Sequence, residues 1–333
     1  MSKIALIGDT HFGIRNDSPI FHEYFKRSLK YFFDYIDDNK IQHIIHLGDL
    51  FDRRKFLSYL TASVCRKEFL DPIQERKLDT HIIAGNHDQY FKDTYEVNAL
   101  DEIVTNRYSY IKTYNTPQQI NIDGLDIQLI PWINSKNHIQ SFDRIQNTQA
   151  QVLIGHLELN GFDMFRGMMS EHGLETHLFD RFDLVFSGHY HHKSSKNNIH
   201  YIGAFAEYTW ADYQDPRGFT ILDTQTRIFE FIQNPHSIFQ MIYYDDTKPI
   251  KIDYSKMKDT YVKVVCKNKT DQVKFDDFIE NLYDAKPVDI SIIEDSSLIE
   301  TSESEDVVDE AQDTSMILST YIKGLTLSLI HIS

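Results

Sequence analysis

Residues 43–52 read HIIHLGDLFD, an apolar run that ends in a glycine and two carboxylates. Short apolar runs that are rich in β-branched residues are typical of buried strands. Gly48 and Asp49 stand directly after this run, and in open α/β folds ligands gather beyond the carboxyl ends of the strands. The stretch therefore predicts an α/β fold with a polar site at one edge of a sheet.

Four more motifs repeat this arrangement, each directly after an apolar run. They are Asp9-Thr10-His11, Gly85-Asn86-His87-Asp88, Gly155-His156 and Gly188-His189-Tyr190-His191, which follow residues 4–7, 81–84, 151–154 and 183–186. One histidine after one strand is usually a core or loop residue, but five polar motifs in this order are not explained by chance. We expect the five motifs to converge on one site, and the other histidines, His46 and His192 among them, to be core or surface residues.

The stretches between the motifs predict alternating strands and helices, which favours a parallel sheet covered by helices. Apolar residues at helical spacing predict helices over residues 21–39 and 58–76, and the aromatic residues of the first are expected to be core. A second sheet is expected to pack on the first. Its predicted strands are residues 110–114, 119–122, 125–130, 198–202, 218–223 and 227–232, with a hairpin turn at Asp123-Gly124.

The predicted fold class is therefore α/β, with two mixed β-sheets flanked by helices and a small C-terminal α/β domain. We place the main domain at residues 1–247 and the small domain at 248–293. Residues 294–333 form an acidic, Ser-rich stretch of linker composition. The last seven residues resemble the read-through of a sequencing adapter, so we expect that the natural C-terminus is missing.

Net charge is −16, but residues 287–322 contain ten acidic residues and no lysine or arginine, so the rest of the chain carries −6. The charge therefore does not exclude DNA as a ligand, although DNA contacts would have to come from a local basic patch. Arg53, Arg54 and Lys55 directly follow the second motif and are the predicted patch. A solvated loop is the alternative interpretation.

The chain is expected to be cytoplasmic. No apolar run reaches the roughly 18 residues that a membrane helix requires, and the N-terminus passes into a predicted strand without a signal peptide. Cys65 and Cys266 lie outside the motifs and are expected to be unpaired, as is usual in a reducing compartment.

The five motifs supply carboxylates, an amide and imidazoles but no thiolate. This set suits two divalent metal ions and favours Mn²⁺, iron or Zn²⁺ over Ca²⁺. Asp49 is the best candidate for a carboxylate that bridges both ions. Asp9 and His11 are expected to point the same way from an extended segment and to share one ion. Paired metals suit the hydrolysis of phosphate esters.

The predicted catalytic group is His87, which stands beside a ligand without being required as one. Its imidazole could give a proton to the leaving alkoxide. Asp88 or Asp52 could orient that imidazole.

The order D-x-H, G-D-x-x-D, G-N-H-D, G-H, G-H-x-H resembles that of the calcineurin-like metallophosphoesterases, and within them the SbcD-type recombination nucleases, including those of T-even-like phages. Residues 48–55, 130–132, 155–162 and 215–219 support the resemblance, which covers residues 3–235 clearly and 250–295 loosely. It implies a manganese-dependent 3′→5′ DNA exonuclease and single-strand endonuclease. It also implies a homodimer and a partner ATPase of the SbcC type.

Carried over by motif, the resemblance implies two metal sites that share Asp49. One ion takes Asp9, His11, Asp49 and His191, and the other takes Asp49, Asn86, His156 and His189. His87 matches the catalytic histidine of the family. The C-terminal end departs from the family, because partner-binding helices are expected where the sequence stops.

Three other functions fit parts of the pattern. A phosphoprotein phosphatase of the same fold is disfavoured by two positions. The motifs of those enzymes resemble G-D-x-x-D-R-G and G-N-H-E, whereas here Arg54 replaces the last glycine of the first motif and Asp88 replaces the glutamate of the second. A phosphodiesterase for cyclic or other small nucleotides is disfavoured by the added C-terminal domain. A non-catalytic scaffold is disfavoured because all seven ligand positions are filled.

Overall fold

The computed structural model describes residues 2–249 and 251–294. The chain divides into two compact units, of which the first comprises Met1–Tyr208 and Gln214–Ser237. The second comprises Thr209–Tyr213 and the described residues from Ile238 to Glu294. The second unit begins about ten residues before the predicted limit at 247, because a strand at Phe239–Asp245 pairs inside it.

The strands follow in chain order, and most are short. They are β1 (Lys3–Ile7), β2 (His43–His46), β3 (Asp79–Ile83), β4 (Ile111–Tyr114), β5 (Gln118–Ile122), β6 (Leu125–Ile130), β7 (Val152–His156), β8 (Asp163–Phe165), β9 (Met168–Met169), β10 (Leu184–Gly188), β11 (Ser194–Lys196), β12 (Ile199–Tyr201), β13 (Gly218–Asp223), β14 (Phe229–Gln233), β15 (Phe239–Asp245), β16 (Tyr261–Asn268) and β17 (Asp289–Ile293).

Within residues 2–249 and 251–294, seven α-helical segments accompany these strands. They are α1 (Ile14–Asp17), α2 (Pro19–Asp38), α3 (Tyr59–Cys65), α4 (Asp71–Arg76), α5 (Ala99–Ile103), α6 (His138–Asn147) and α7 (Gln272–Asp284). Short 3₁₀ turns occur at Thr176–Phe179, Trp210–Asp212 and Tyr254–Lys256. None of the helices in the described ranges combines the length and the apolar composition that a bilayer crossing requires.

Helix α2 confirms its prediction, since its buried positions recur at helical spacing and the aromatic ones lie in the core. Pro19 begins it, a position where the missing N–H is not required by the helix. The single helix predicted over residues 58–76 is wrong in detail, because a π-helical turn at Arg66–Leu70 separates α3 from α4. Pro72 follows this turn, and in a continuous α-helix its ring would clash with the carbonyl four residues earlier. The wider turn, in which the Asp71 amide donates to the Arg66 carbonyl, avoids that clash.

The first sheet has the order β14-β13-β1-β2-β3-β4, and the second has the order β11-β12-β10-β7-β6-β5. Both are mixed, and buried side chains of the two sheets form one core that includes Leu6, Ile45, Leu129, Ile154 and Phe186. The predicted α/β class with two mixed sheets is confirmed.

The sheet membership of three predicted strands was wrong. β4, β13 and β14 belong to the first sheet, where β4 runs parallel to β3 and β13 runs antiparallel to β1. Each strand carries an apolar face that suits either sheet, so its own residues do not specify which edge it joins. The strands with which β4 and β13 pair, β3 and β1, are distant from them in sequence, and the spacing of apolar residues does not indicate such pairs.

The second unit is a parallel sheet β15-β16-β17 with α7 packed on it. Tyr244, Val264, Phe278 and Leu282 are among the buried residues of its core. Cys266 in this unit and Cys65 in the first unit are both free, as predicted.

Candidate metal centre

The first motif lies beyond β1 and pairs with the loop beyond β2. The backbone amide of Asp9 donates to the Gly48 carbonyl at 2.9 Å, and that of His11 donates to the Asp49 carbonyl at 3.1 Å. Asp9 and His11 have φ values of 48° and 43°, so the predicted extended segment is wrong. The two side chains still face the same space, but left-handed backbone conformations and not an extended segment direct them there. Residues in such conformations cluster at functional sites.

One group of ligand atoms is formed by Asp9, His11 and His191, which are all buried and whose ligand atoms lie within 4.8 Å of one another. The Nε2 atoms of His11 and His191 are 3.0 Å apart. His191 comes from the loop beyond β10 in the second sheet, so this group joins the two sheets.

A second group is formed by Asp49, His156 and His189, whose ligand atoms also lie within 4.8 Å of one another. The amide oxygen of Asn86 faces the same space, at 3.0 Å from His156 Nε2 and 3.1 Å from His189 Nδ1. The Nδ1 atom of His156 lies 2.7 Å from the Leu47 carbonyl, to which it must donate. That bond leaves Nε2 as the atom that faces the group, the orientation of metal-ligating histidines generally.

Asp49 belongs to the second group and also faces the first. Its Oδ2 atom is 3.4 Å from His156 Nε2 in the second group and 3.7 Å from His11 Nε2 in the first. Its other oxygen accepts the backbone N–H of His87 at 2.8 Å, which orients the carboxylate.

Two glycines make room for this arrangement. A Cβ atom at Gly85 would lie 2.1 Å from the Asp49 carboxylate. Gly48 has φ of 96°, and a Cβ atom there would lie 2.5 Å from the His156 ring. Any side chain at either position would therefore push a ligand out of place.

Burial and mutual charge perturb the pKa values of these groups. Burial raises the pKa of Asp9 to about 8. Burial also opposes ionisation of Asp49, but the imidazoles of His156 and His87 outweigh it and hold the pKa of Asp49 well below its usual range. The Asp49 carboxylate, against burial, raises the pKa of His156 to about 9.

Three other imidazoles are held neutral. Burial lowers the pKa of His11 and of His189 to about 3, and it lowers that of His191 well below the usual value. Neutral imidazoles in contact with each other present lone pairs to the same space.

The side chains fit divalent metal ions. Asp9 Oδ2 is buried and has no hydrogen-bond partner among the described residues. The Nε2 atoms of His11 and His191 face each other at 3.0 Å, and His11 Nδ1 is buried without a hydrogen-bond partner among the described residues. A cation would satisfy these acceptors together, and the fold and the ligand groups imply divalent metal ions. The donor set contains nitrogen and oxygen but no sulfur, which suits Mn²⁺, iron or Zn²⁺.

His87 lies beside the first group, with its ring centroid 4.9 Å from that of His11. Its Nδ1 atom lies 2.5 Å from the backbone carbonyl of Asp52. A carbonyl can only accept, so Nδ1 donates and Nε2 faces away from this bond.

The two acids that were expected to orient His87 have different positions. The Asp88 carboxylate accepts the backbone amides of Leu50, Phe51 and Gly85, so it ties the second and third motifs together. Burial, followed by the nearby Asp49, raises the pKa of Asp88 to about 7. The Asp52 carboxylate lies 3.6 Å from His11 Nδ1, and burial raises its pKa to about 6. Asp52 thus contacts His87 through its backbone and His11 through its side chain.

The predicted basic patch is heterogeneous. Arg53 is one-third exposed and stacks on the Phe56 ring at 4.7 Å, while Lys55 is exposed. Arg54 is half-buried, and its Nε atom donates to the Asn86 carbonyl at 2.7 Å. Arg54 therefore also supports the loop that carries Asn86.

Several residues around the site were not predicted. Tyr208 is buried, its hydroxyl donates to the Asp9 carbonyl, and its ring packs on His11 and His191. No motif marks it. Trp132 packs on His189 at 5.0 Å between ring centroids, and its sequence signal was the stretch at residues 130–132.

The H-x-H loop is held by a second network. Buried Arg217 donates to the His191 carbonyl and pairs with Asp215 at 3.1 Å. Asp215 in turn accepts from His192 Nδ1 at 2.9 Å. The stretch at residues 215–219 supported the family resemblance, but its sequence predicted no role for these side chains.

Comparison with known proteins agrees with this geometry. The model of the calcineurin-like phosphoesterase family matches residues 2–193. The chain is 33% identical over 327 residues to exonuclease subunit 1 of Enterobacteria phage T4, an alignment that covers 97% of this chain and 93% of that one.

Two bacterial proteins are more distant relatives, and both are the SbcD subunit of an SbcCD nuclease. The chain is 25% identical over 257 residues to that of Staphylococcus epidermidis, covering 67% of this chain and 66% of the other. It is 24% identical over 223 residues to that of Staphylococcus saprophyticus, covering 55% of each. On the family match and the near full-length similarity, this chain belongs to the calcineurin-like phosphoesterase family.

Proposed function

We propose that this chain is the nuclease subunit of a DNA end-processing complex in recombination and repair. It hydrolyses phosphodiester bonds as a 3′→5′ exonuclease and a single-strand endonuclease. The observation that carries the proposal is the pair of ligand groups on either side of Asp49, which suits a two-metal phosphodiesterase. The names of the three relatives, one an exonuclease subunit and two nuclease subunits, favour DNA as the substrate.

The proposed ions are two Mn²⁺. Asp9, His11 and His191 would hold one ion, and Asn86, His156 and His189 would hold the other. Asp49 would serve both, which its distances to His11 and His156 support. When bound, two divalent ions lower the pKa of the attacking water and offset the charge that builds up on the phosphoryl group.

The protein's own residues supply the proton that the leaving alkoxide requires. The Asp52 carbonyl accepts from His87 Nδ1, so the doubly protonated ring would give its Nε2 proton to the leaving alkoxide and become neutral. Asp88 keeps the loops that carry Asp49 and His87 in register through three backbone amides.

The proposed function is tested with four substrates and Mn²⁺: a duplex DNA with labelled ends, a single-stranded circle, a chromogenic phosphodiester and a phosphopeptide. Cleavage of both DNAs is expected, with release of mononucleotides from the duplex. Turnover of the phosphopeptide without cleavage of DNA would identify a phosphoprotein phosphatase. Turnover of the chromogenic diester alone would favour a phosphodiesterase for small nucleotides.

Arg53 and Lys55 are predicted to contact the DNA backbone. Changing both to alanine should weaken DNA binding about equally on unrelated sequences. It should also reduce the slope of log K against log salt by about one for each lost phosphate contact. The measurement is fluorescence anisotropy over a salt series. Arg54→Ala, measured separately, should also weaken metal binding because of its bond to the Asn86 carbonyl.

A charge-matched control is available. Lys30 and Arg107 are exposed, and the double variant Lys30→Ala/Arg107→Ala removes the same charge elsewhere. Its salt slope should equal that of the wild type. If both double variants gave the wild-type slope, Arg53 and Lys55 would form only a solvated loop.

The proposed partners are an SbcC-type ATPase and a second copy of this chain, in the cytoplasm, which is that of the host cell if the chain is phage-encoded. Large apolar side chains are exposed in the stretches that follow the second and third motifs, a composition that marks protein interfaces. They are Phe56, Tyr59, Leu60, Tyr90, Phe91 and Val97. We expect the proposed homodimer to bury several of these side chains.

The stretch from Glu294 onward is predicted to be dispensable for cleavage and to contribute to ATPase binding. It contains nine acidic residues and no basic ones up to Thr314, so it would repel DNA. Met316, Ile317, Leu318, Tyr321 and Ile322 would begin an apolar face for a partner helix. They lie outside the described residues.

Truncation after Ile293, where β17 ends, should leave manganese-dependent cleavage intact and remove whatever ATPase binding the full chain shows in a pull-down. Full-length protein with Glu300, Glu303 and Glu305 changed to glutamine is the control for loss of charge alone. ATPase binding that survives the truncation would place the docking surface in the first 293 residues.

A further inference from the structure

His46 is a buried histidine that the metal sites do not use. It ends β2, two residues before Gly48, and its side chain is fully buried. Its Nδ1 atom lies 3.3 Å from the Gly48 amide, and its Nε2 atom lies 3.0 Å from the Thr10 hydroxyl. The Phe69 ring packs on the imidazole at 5.8 Å between centroids.

The partners fix the direction of every hydrogen bond. The Gly48 amide can only donate, so His46 Nδ1 accepts and the proton of the neutral ring is on Nε2. Nε2 therefore donates to the Thr10 hydroxyl. The Thr10 hydroxyl keeps its own proton and donates it to the Leu50 carbonyl, 3.3 Å away. The result is one continuous chain of hydrogen bonds, or relay, that runs from the Gly48 N–H through His46 and Thr10 to the Leu50 carbonyl.

The relay ends on both sides of the shared carboxylate. Thr10 stands between Asp9 and His11, while Gly48 and Leu50 flank Asp49. Backbone hydrogen bonds also join the two loops, and the relay adds a buried side-chain connection from Thr10 to the main chain on either side of Asp49. A buried hydroxyl and a buried imidazole destabilise the folded state if they lack hydrogen bonds. Two apolar side chains at these positions would avoid that risk if the positions served only to fill the core.

We propose that His46 and Thr10 are positioning residues that set the separation between the Asp9–His11 pair and Asp49, and through it the affinity for metal. The inference rests on the proposed metal sites but not on DNA as the substrate. Groups that orient metal ligands typically contribute about 10–100-fold to metal affinity.

The test is Mn²⁺ binding by isothermal titration calorimetry, with the electron paramagnetic resonance signal of the loaded protein as a second measurement. Thr10→Val keeps the shape of the side chain and removes the hydroxyl, and it should weaken metal binding about 10–100-fold and change the signal. Thr10→Ser restores the hydroxyl and should recover most of the affinity. His46→Phe should resemble Thr10→Val.

The double variant His46→Phe/Thr10→Val should bind Mn²⁺ no more weakly than the single variant with the lower affinity, because both changes break the same relay. Thr80→Val is the matched control, since Thr80 is also buried in the first sheet and donates its hydroxyl to the Leu78 carbonyl. It should reduce the unfolding temperature as Thr10→Val does, and leave metal affinity as in the wild type.

Three results would overturn the proposal: wild-type metal affinity in Thr10→Val, equal losses in Thr10→Ser and Thr10→Val, or losses that multiply in the double variant. If His46→Phe does not fold, the three threonine variants still decide the question. A wild-type protein that binds no Mn²⁺ would refute the metal sites themselves. Normal metal binding without cleavage of DNA would refute the nuclease function and leave the relay standing.

Discussion

Replacing Asp49 by alanine is expected to abolish nuclease activity and to remove metal binding at both sites. No other described carboxylate approaches ligand atoms of both groups in this way, since Asp49 Oδ2 lies 3.7 Å from His11 and 3.4 Å from His156. Without it, the group of Asp9, His11 and His191 and the group of Asn86, His156 and His189 would both lose the negative charge that they share. Elemental analysis of the purified variant and end-labelled duplex cleavage are the two measurements.

Asp126→Ala is the control for the loss of an aspartate, because Asp126 is exposed on β6. It should retain both metals and full activity. Circular dichroism should show that Asp49→Ala is folded. An Asp49→Ala protein that keeps two metals and near-normal turnover would contradict the bridging role.

Replacing His87 by alanine is expected to lower kcat by about 10²–10⁴-fold, the usual cost of losing a general acid. Both metals should remain bound, because the groups of Asp9 and Asp49 each contain three residues without His87, which instead forms a third group with His11 and Asp52. The measurement is single-turnover cleavage at saturating Mn²⁺, combined with metal content.

The proton-donor role makes a second, sharper prediction. A substrate whose leaving group is a nitrophenolate requires no proton, so His87→Ala should hydrolyse it with a much smaller loss than DNA. His138→Ala is the control, because His138 is exposed and its Nδ1 atom also bonds a backbone carbonyl, that of Ser135. Loss of metal from His87→Ala would make His87 a ligand, and equal losses on both substrates would exclude the proton transfer.

The sequence by itself determined the α/β class and the identity of the residues that gather at the site. Both follow from local signals. Apolar runs of strand length predict strands, and polar residues directly after parallel strands meet at one edge of a sheet. For that reason Asp9, Asp49, Asn86, His156 and His189 could be assigned to one site from their positions in the chain alone.

Only the tertiary structure decided how those residues are grouped and what supports them. The assignment of β4, β13 and β14 to the first sheet depends on which strand edges remain free. The same is true of the site, where His46 contacts Thr10 across 36 positions and Tyr208 contacts Asp9 across 199. Periodicity reports which face of an element is buried, whereas the partner buried against it is set by packing of distant segments. The gathering of these residues at one site could therefore be predicted from the sequence, but the network of side chains around them could not.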